Sequence, residues 1–172
     1  FAKAALGVSD VGQLAAADVG EKTVADTLTD KIATIGENMA LRRMGALEGT
    51  QVVSYVHNAA TAGMGKIGVL VALSAENEAF GRQVAMHIAA ANPQSLGADD
   101  LDPAVVEREK NVLSEQARES GKPEQVIEKM IVGRMKKFLA EVTLLGQACV
   151  INLDLSVEAA AKEAGVEISG FL

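Results

Sequence analysis

The sequence is poor in aromatic residues, and it has one cysteine and two histidines among 172 residues. Cys149 has no partner for a disulfide, and one thiol with two imidazoles offers little material for a metal site. No apolar run approaches the roughly 20 residues that a membrane helix needs, and no signal segment opens the chain. We therefore expect a soluble protein without disulfide, metal or membrane contact, with the cytoplasm as its default location.

Nucleic acid is not an expected direct partner. The formal net charge is -7, whereas binding to a phosphate backbone depends on clustered Lys and Arg. Aromatic residues are 3% of the chain, too few for base-stacking platforms. The length suffices for one ordinary domain or two small lobes. Because the chain opens at Phe1 inside an amphipathic stretch and stops at Leu172 just after a strand signal, we expect a fragment of a longer protein.

The first clear helix signal starts at Thr23. Asp26 stands three residues later, as in a capping box, and the apolar residues that follow at helical spacing are Leu28, Ile32, Ile35 and Met39. Gly36 lies inside this pattern, where glycine costs about 1 kcal/mol against alanine. It marks either a break between two helices or a close approach by another chain.

Two segments then alternate with the period of a strand. Residues 52–57 and 66–73 predict an antiparallel hairpin, and the loop 58–65 is long and rich in Ala, Thr and Gly, which predicts mobility. Helical spacing returns at Phe80 and ends at Asn92-Pro93.

A helical hairpin is predicted next. Asp102 caps a helix with Pro103 at its first position, Ser120-Gly121 reverses the chain, and Pro123 opens a partner helix that runs to Val142. Residues 148–153 then predict a short strand, Ser156 caps a small helix ending at Gly165, and residues 166–168 begin another strand. The predicted class is α+β, with the helical hairpin inserted between strands of one sheet.

Catalytic patterns are missing. Gly63, Gly65 and Lys66 do not form a phosphate-binding loop, because one residue rather than four separates the glycines and Ile67 follows the lysine. The carboxylates at Glu107, Glu109, Glu115 and Glu119 are interpreted as the solvated face of a helix. His87 is interpreted as structural, and so is His57 on position alone. We expect no catalytic residues and no enzyme.

Several separated blocks closely resemble bacterial elongation factor Ts from about Val24 onward. They are Ile35-Gly36-Glu37-Asn38-Met39-Ala40-Leu41-Arg42-Arg43, Ser54-Tyr55-Val56-His57, Lys66-Ile67-Gly68-Val69-Leu70-Val71, Met86-His87-Ile88-Ala89-Ala90, Gly121-Lys122-Pro123, Glu128-Lys129-Met130, Gly133-Arg134-Met135-Lys136-Lys137-Phe138 and Leu145-Gly146-Gln147. Agreement of ordered blocks at the family's spacing is more specific than any single motif.

This resemblance implies a guanine-nucleotide exchange factor that binds the translational GTPase EF-Tu in its GDP-bound and nucleotide-free forms, without a cofactor. The family has two core lobes with antiparallel sheets and a protruding helical hairpin of the coiled-coil type. The implied division is 1–49 for the rest of the N-terminal lobe, 50–101 and 143–172 for the C-terminal lobe, and 102–142 for the hairpin. Residues matching Ile35, Gly36 and His57 contact the GTPase domain, and those matching Val150 and Ile151 face another EF-Tu domain.

Two features of the family would precede residue 1: a helical module resembling ubiquitin-associated domains, and a Thr-Asp-Phe-Val motif. The loop after His57 is also longer than in many relatives. Two other hypotheses stay open at this point. One is a self-assembling module that forms a homodimer through the helical hairpin, and the other is a small-molecule enzyme with a pocket of convergent ionisable groups.

Overall fold

A computed structural model describes residues 1–58, 60–61 and 63–172. Ala59 and Ala62 belong to the predicted mobile loop and lie outside the described residues. The chain divides into two compact units, Phe1–Ala46 and Leu47–Leu172. Within the described ranges, no helix is both long enough and apolar enough to cross a membrane.

The first unit is mainly helical. It contains α1 (Ala2–Ala5), α2 (Val11–Ala16), β1 (Asp18–Val19), β2 (Lys22–Thr23) and α3 (Val24–Ile35). The strands β1 and β2 form an antiparallel hairpin around Gly20, whose φ of 72° suits a tight turn. A hydrogen bond and the negative charge of Asp30 raise the pKa of the exposed Lys22 amine on β2.

The predicted cap of α3 is confirmed. The Thr23 hydroxyl oxygen accepts from the Asp26 N–H at 3.1 Å, and the same hydroxyl donates to the Asp26 carboxylate at 2.8 Å. The expected extension of the helix to Met39 is wrong. Gly36 adopts a left-handed φ of 79° and its N–H donates to the Ile32 carbonyl, which ends the helix at Ile35. Residues 37–48 follow without helix or strand.

The second unit is built on a three-stranded antiparallel sheet with strand order β3-β4-β7. Its elements are β3 (Gln51–His57), β4 (Ile67–Leu73), α4 (Glu78–Ala91), α5 (Pro103–Glu119), α6 (Glu124–Val142), β5 (Ala148–Cys149), β6 (Asn152–Ser156), α7 (Val157–Glu163) and β7 (Ile168–Phe171). The predicted hairpin is confirmed, with Val53 opposite Val71 and His57 opposite Ile67. The last strand, β7, pairs with β4 and completes the sheet.

Helix α4 covers one face of this sheet at close range. A Cβ atom added at Gly81 would lie 2.5 Å from Cγ2 of Val53, so the missing side chain lets the helix approach the strand. The core between the layers consists of Val53, Val69, Val71, Leu73, Phe80, Val84, Ala85, Ile88, Leu144, Cys149, Val157, Ala161, Val166 and Ile168. Burial of this apolar set is the main stabilising term of the unit.

The predicted helical hairpin is confirmed as α5 and α6. The Asp102 carboxylate accepts from the Ala104 N–H at 2.9 Å, and Pro103 occupies the first helical position. The two helices contact each other, and Arg134 Nη1 donates to Gln116 Oε1 at 3.4 Å. The hairpin stands in the sequence between β4 and β7 of one sheet, so the α+β class with an inserted hairpin is observed.

The prediction of one strand over residues 148–153 is wrong. Strands β5 and β6 form a separate two-stranded sheet, and Val150 and Ile151 make the turn between them. Cys149 before the turn is buried in the core, which holds the chain on the inside at that point and directs the next two residues outward. The following helix α7 begins where expected, with the Ser156 hydroxyl accepting from the Ala159 N–H at 3.1 Å.

Candidate protein-interaction site

The five predicted contact residues lie at the ends of regular elements. In the first unit, Ile35 is the last residue of α3 and Gly36 ends it. In the second unit, His57 is the last residue of β3, whereas Val150 and Ile151 form the β5–β6 turn. Element ends combine a rigid support with access to solvent, which suits contact residues.

The end of α3 presents an apolar side chain beside bare backbone. Ile35 is 55% exposed, although the isoleucines of an amphipathic helix normally face the protein core. A Cβ atom added at Gly36 would meet open space, so the glycine is required by its left-handed φ and not by internal crowding. Of the two alternatives from the sequence, the break is observed, since Gly36 ends the helix, although no second helix follows. Close approach by another chain stays a prediction.

His57 is held by a neighbour on the same face of β3. The hydroxyl of Tyr55 lies 2.9 Å from Nδ1 of His57, and the two ring centroids are 5.9 Å apart. Both rings are half-buried, and Tyr55 packs against the core. With the imidazole proton on Nε2, the tyrosine donates to Nδ1 and Nε2 stays available as a donor to a partner.

The β5–β6 turn carries a small apolar surface. Val150 is 48% exposed, Ile151 is 52% exposed, and Leu153 at the start of β6 is 74% exposed. We call Val150, Ile151 and Leu153 the apolar tip. Single exposed apolar residues are ordinary, but three within four positions of one hairpin are typical of a contact surface for another protein.

A buried hydrogen-bonded chain lies beneath this tip. His87 on α4 is 1% exposed; its Nε2 lies 2.8 Å from Oε1 of Gln147, and the N–H of Val150 donates to its Nδ1 at 3.3 Å. The Gln147 side-chain amide in turn donates to the Glu141 carbonyl at 2.8 Å. The interpretation of His87 as structural is confirmed, and the residue is fully rather than partly buried.

The carboxylates of α5 that the sequence assigned to a solvated helix face are mostly exposed. On α5, Glu107, Glu115 and Glu119 are exposed and Glu109 is half-buried, in agreement with the solvated-face interpretation. In the part of the chain that the structure describes, three or more metal-binding side chains do not come together. The described side chains of the candidate site offer hydrogen bonding at His57 and apolar contact at Ile35 and the apolar tip.

Sequence reasoning missed Tyr55, Gln147 and Leu153. Tyr55 could have been found, since a residue two positions before His57 shares its face of a strand. Gln147 stands in a block that resembles the family, but its contact with His87 had no signal, because the two residues are 60 positions apart in the sequence. The exposure of Leu153 was not predicted, because the sequence predicts one continuous strand over residues 148–153.

Comparison with known families identifies the family of the chain. The family model described as "Elongation factor TS" matches residues 1–172. The chain belongs to the elongation factor Ts family. The elongation factor Ts of Ruegeria sp. (strain TM1040) is 72% identical over all 172 residues, and that of Dinoroseobacter shibae is 70% identical over the same length. The elongation factor Ts of Paracoccus denitrificans is 66% identical over 166 residues, 95% of this chain.

These relatives are longer proteins. The chain spans 59% of the Ruegeria and Dinoroseobacter elongation factors Ts and 56% of the Paracoccus one. The candidate site and the helical hairpin both lie inside the matched region.

Proposed function

We propose that this chain is the EF-Tu-binding part of a translation elongation factor that acts as a guanine-nucleotide exchange factor and promotes release of GDP. The observation that carries the proposal is the family match over the whole chain. The exposed apolar tip, the Tyr55-supported imidazole of His57 and the open end of α3 support it, because each is suited to contact with a protein surface.

The proposed mechanism is thermodynamic linkage. The factor binds nucleotide-free EF-Tu more tightly than EF-Tu with GDP. GDP therefore lowers the affinity of EF-Tu for the factor by the same ratio as the factor lowers its affinity for GDP. A thousandfold weakening corresponds to about 4 kcal/mol of coupling, which a few contacts at the nucleotide site can supply. This mechanism needs no catalytic residue and no cofactor in the factor itself, and it operates in the cytoplasm, where translation takes place.

The residues divide into two proposed contacts. Ile35, Gly36 and His57 contact the GTPase domain of EF-Tu: Ile35 supplies apolar area, Gly36 permits backbone approach, and His57 donates from Nε2. Val150 and Ile151 contact another domain of EF-Tu through the apolar tip. The first group distorts the nucleotide site, whereas the second anchors the complex, so their variants should affect different steps.

The test is the release of fluorescent GDP from bacterial EF-Tu. Addition of the chain should accelerate release, with the full-length Ruegeria elongation factor Ts as the positive control. A His57→Ala variant should slow release relative to the unmodified chain, at a stability cost of about 0.5 to 1.5 kcal/mol for the lost hydrogen bond with Tyr55. If the Ruegeria protein accelerates release while this chain neither accelerates release nor binds EF-Tu, the proposal is wrong.

A second candidate function is self-assembly through the helical hairpin, proposed here as residues 102–142 inserted into a lobe formed by 50–101 and 143–172. The observation that favours it is apolar exposure on both helices: Val112 on α5, and Val126 and Val132 on α6. Sedimentation over a range of concentrations tests it. A dimer that is weakened by Val132→Ser supports the assembly, and a monomer at all concentrations excludes it.

A further inference from the structure

The buried chain of hydrogen bonds beneath the apolar tip has a defined direction. The side-chain nitrogen of Gln147 donates to the Glu141 carbonyl at 2.8 Å, which fixes the amide so that Oε1 faces His87. An amide oxygen only accepts, so Nε2 of His87 must carry a proton. At the other side of the ring the N–H of Val150 only donates, so Nδ1 must be unprotonated.

This geometry assigns one state to the imidazole. His87 is neutral, with its proton on Nε2, because a proton on Nδ1 would face the Val150 N–H and leave two donors opposed. The ring is fully enclosed on α4, whose contacts with β3 and β4 make it a firm support. His87 is linked to the β5–β6 turn by one hydrogen bond, from the backbone N–H of Val150, the first residue of the turn, to Nδ1 of the ring.

We propose that His87 is a positioning residue for the apolar tip: its Nδ1 holds the backbone of Val150 so that Val150 and Ile151 face outward in one conformation for the protein partner. This inference rests on the proposed function, since it takes the tip as a surface that EF-Tu contacts. A turn that is ordered before binding loses less conformational entropy when the complex forms. The imidazole itself touches no partner, because it is buried.

Two substitutions separate the two hydrogen bonds of the ring. His87→Asn keeps an acceptor near the position of Nδ1 and removes the donor to Gln147. His87→Gln keeps a donor near the position of Nε2 and leaves the Val150 N–H without its acceptor. Both remove the ring from the same buried site, and they differ from each other by one methylene, so their losses of core packing are similar.

Hydrogen exchange of the Val150 amide in the free chain is the first readout. We expect exchange about tenfold faster in His87→Gln than in His87→Asn, as loss of one hydrogen bond of ordinary strength implies. The second readout is the dissociation constant for nucleotide-free EF-Tu, which should be about fivefold to tenfold weaker for His87→Gln than for His87→Asn. If the ring of His87 served only to fill the core, the two variants would show the same Val150 exchange and the same EF-Tu affinity.

The unmodified chain gives a test that does not depend on folding of the variants. A long-range proton–nitrogen spectrum should show Nε2 of His87 protonated and Nδ1 unprotonated; the opposite tautomer overturns the proposal. Equal Val150 exchange in the two variants also overturns it, and so does equal binding of EF-Tu despite different exchange. If the unmodified chain fails to bind EF-Tu, the proposed function fails, while the exchange and ring measurements still decide whether His87 holds the turn.

Discussion

The hydroxyl of Tyr55 lies 2.9 Å from Nδ1 of His57, two residues along the same face of β3. The tyrosine packs against the core, so it ties an accessible imidazole at the strand end to the rigid part of the second unit. This relationship gives His57 a fixed ring orientation and leaves Nε2 for a partner.

Removal of the tyrosine hydroxyl should therefore weaken the function of His57. Tyr55→Phe keeps the ring packing and should cost about 0.5 to 1.5 kcal/mol in stability, as for one hydrogen bond. Stimulation of GDP release should fall by about twofold to tenfold, since that loss of orientation corresponds to a similar free energy. The measurement is the GDP release rate with saturating and limiting amounts of the variant.

A double-mutant cycle provides the control. In a His57→Ala background, Tyr55→Phe should have no further effect on GDP release, because the only route proposed for its action is the imidazole. Additive effects of the two substitutions would show that Tyr55 acts independently of His57.

Gly36 and Gly133 form a matched pair of glycines. At both positions an added Cβ would meet open space, but only Gly36 has a left-handed φ. Gly36→Ala should destabilise the first unit by about 1 to 2 kcal/mol through backbone strain, whereas Gly133→Ala inside α6 should stabilise the chain by about 0.5 to 1 kcal/mol. Denaturant unfolding of both variants checks the opposite signs; a stabilising Gly36→Ala would contradict the observed conformation.

Close packing of α4 on β3 is tested at Gly81. A methyl group there would collide with the side chain of Val53, and overpacking of this kind costs about 1 to 3 kcal/mol. Gly81→Ala should lower the midpoint of urea unfolding accordingly. Addition of Val53→Ala should cost less in the Gly81→Ala chain than in the unmodified one, because the smaller residue relieves the collision; simple additivity would contradict this packing.

How far the sequence predicted this fold depended on whether each signal was local. The Asp102-Pro103 start and the Thr23 to Asp26 cap were predicted correctly, since the groups involved are at most three residues apart. The end of α3 was predicted too late: Met39 fits the apolar spacing, but the left-handed Gly36 outweighs it. The hairpin of β1 and β2 was missed because its strands have two residues each.

The candidate site follows the same rule. The place of His57 at a strand end was predicted from alternation alone. The turn at Val150 and Ile151 was not predicted, because both residues are β-branched and favour a strand. The turn is stabilised instead by the burial of Cys149 and by a hydrogen bond to His87, 63 positions away in the sequence. Long-range contacts of this kind leave no periodic signal.

The apolar tip should act in binding and not in folding. Ile151→Ser removes a half-exposed side chain, so its effect on stability should stay within about 0.5 kcal/mol. Affinity for EF-Tu should fall by about tenfold, as expected for loss of an apolar contact in an interface. Leu6→Ser in the first unit, where the side chain is 88% exposed, is the control and should leave EF-Tu affinity unchanged. Equal effects of both substitutions would remove the tip from the proposed interface.

The measurement that tests the central claim most directly is the dissociation constant of the chain for EF-Tu with and without GDP. Nucleotide exchange by linkage requires that GDP and the factor lower each other's affinity for EF-Tu by the same ratio. We expect tight binding to nucleotide-free EF-Tu and binding weaker by about a thousandfold at saturating GDP, equivalent to about 4 kcal/mol. Equal affinity in the two states would contradict the account, because a factor without differential binding cannot promote release.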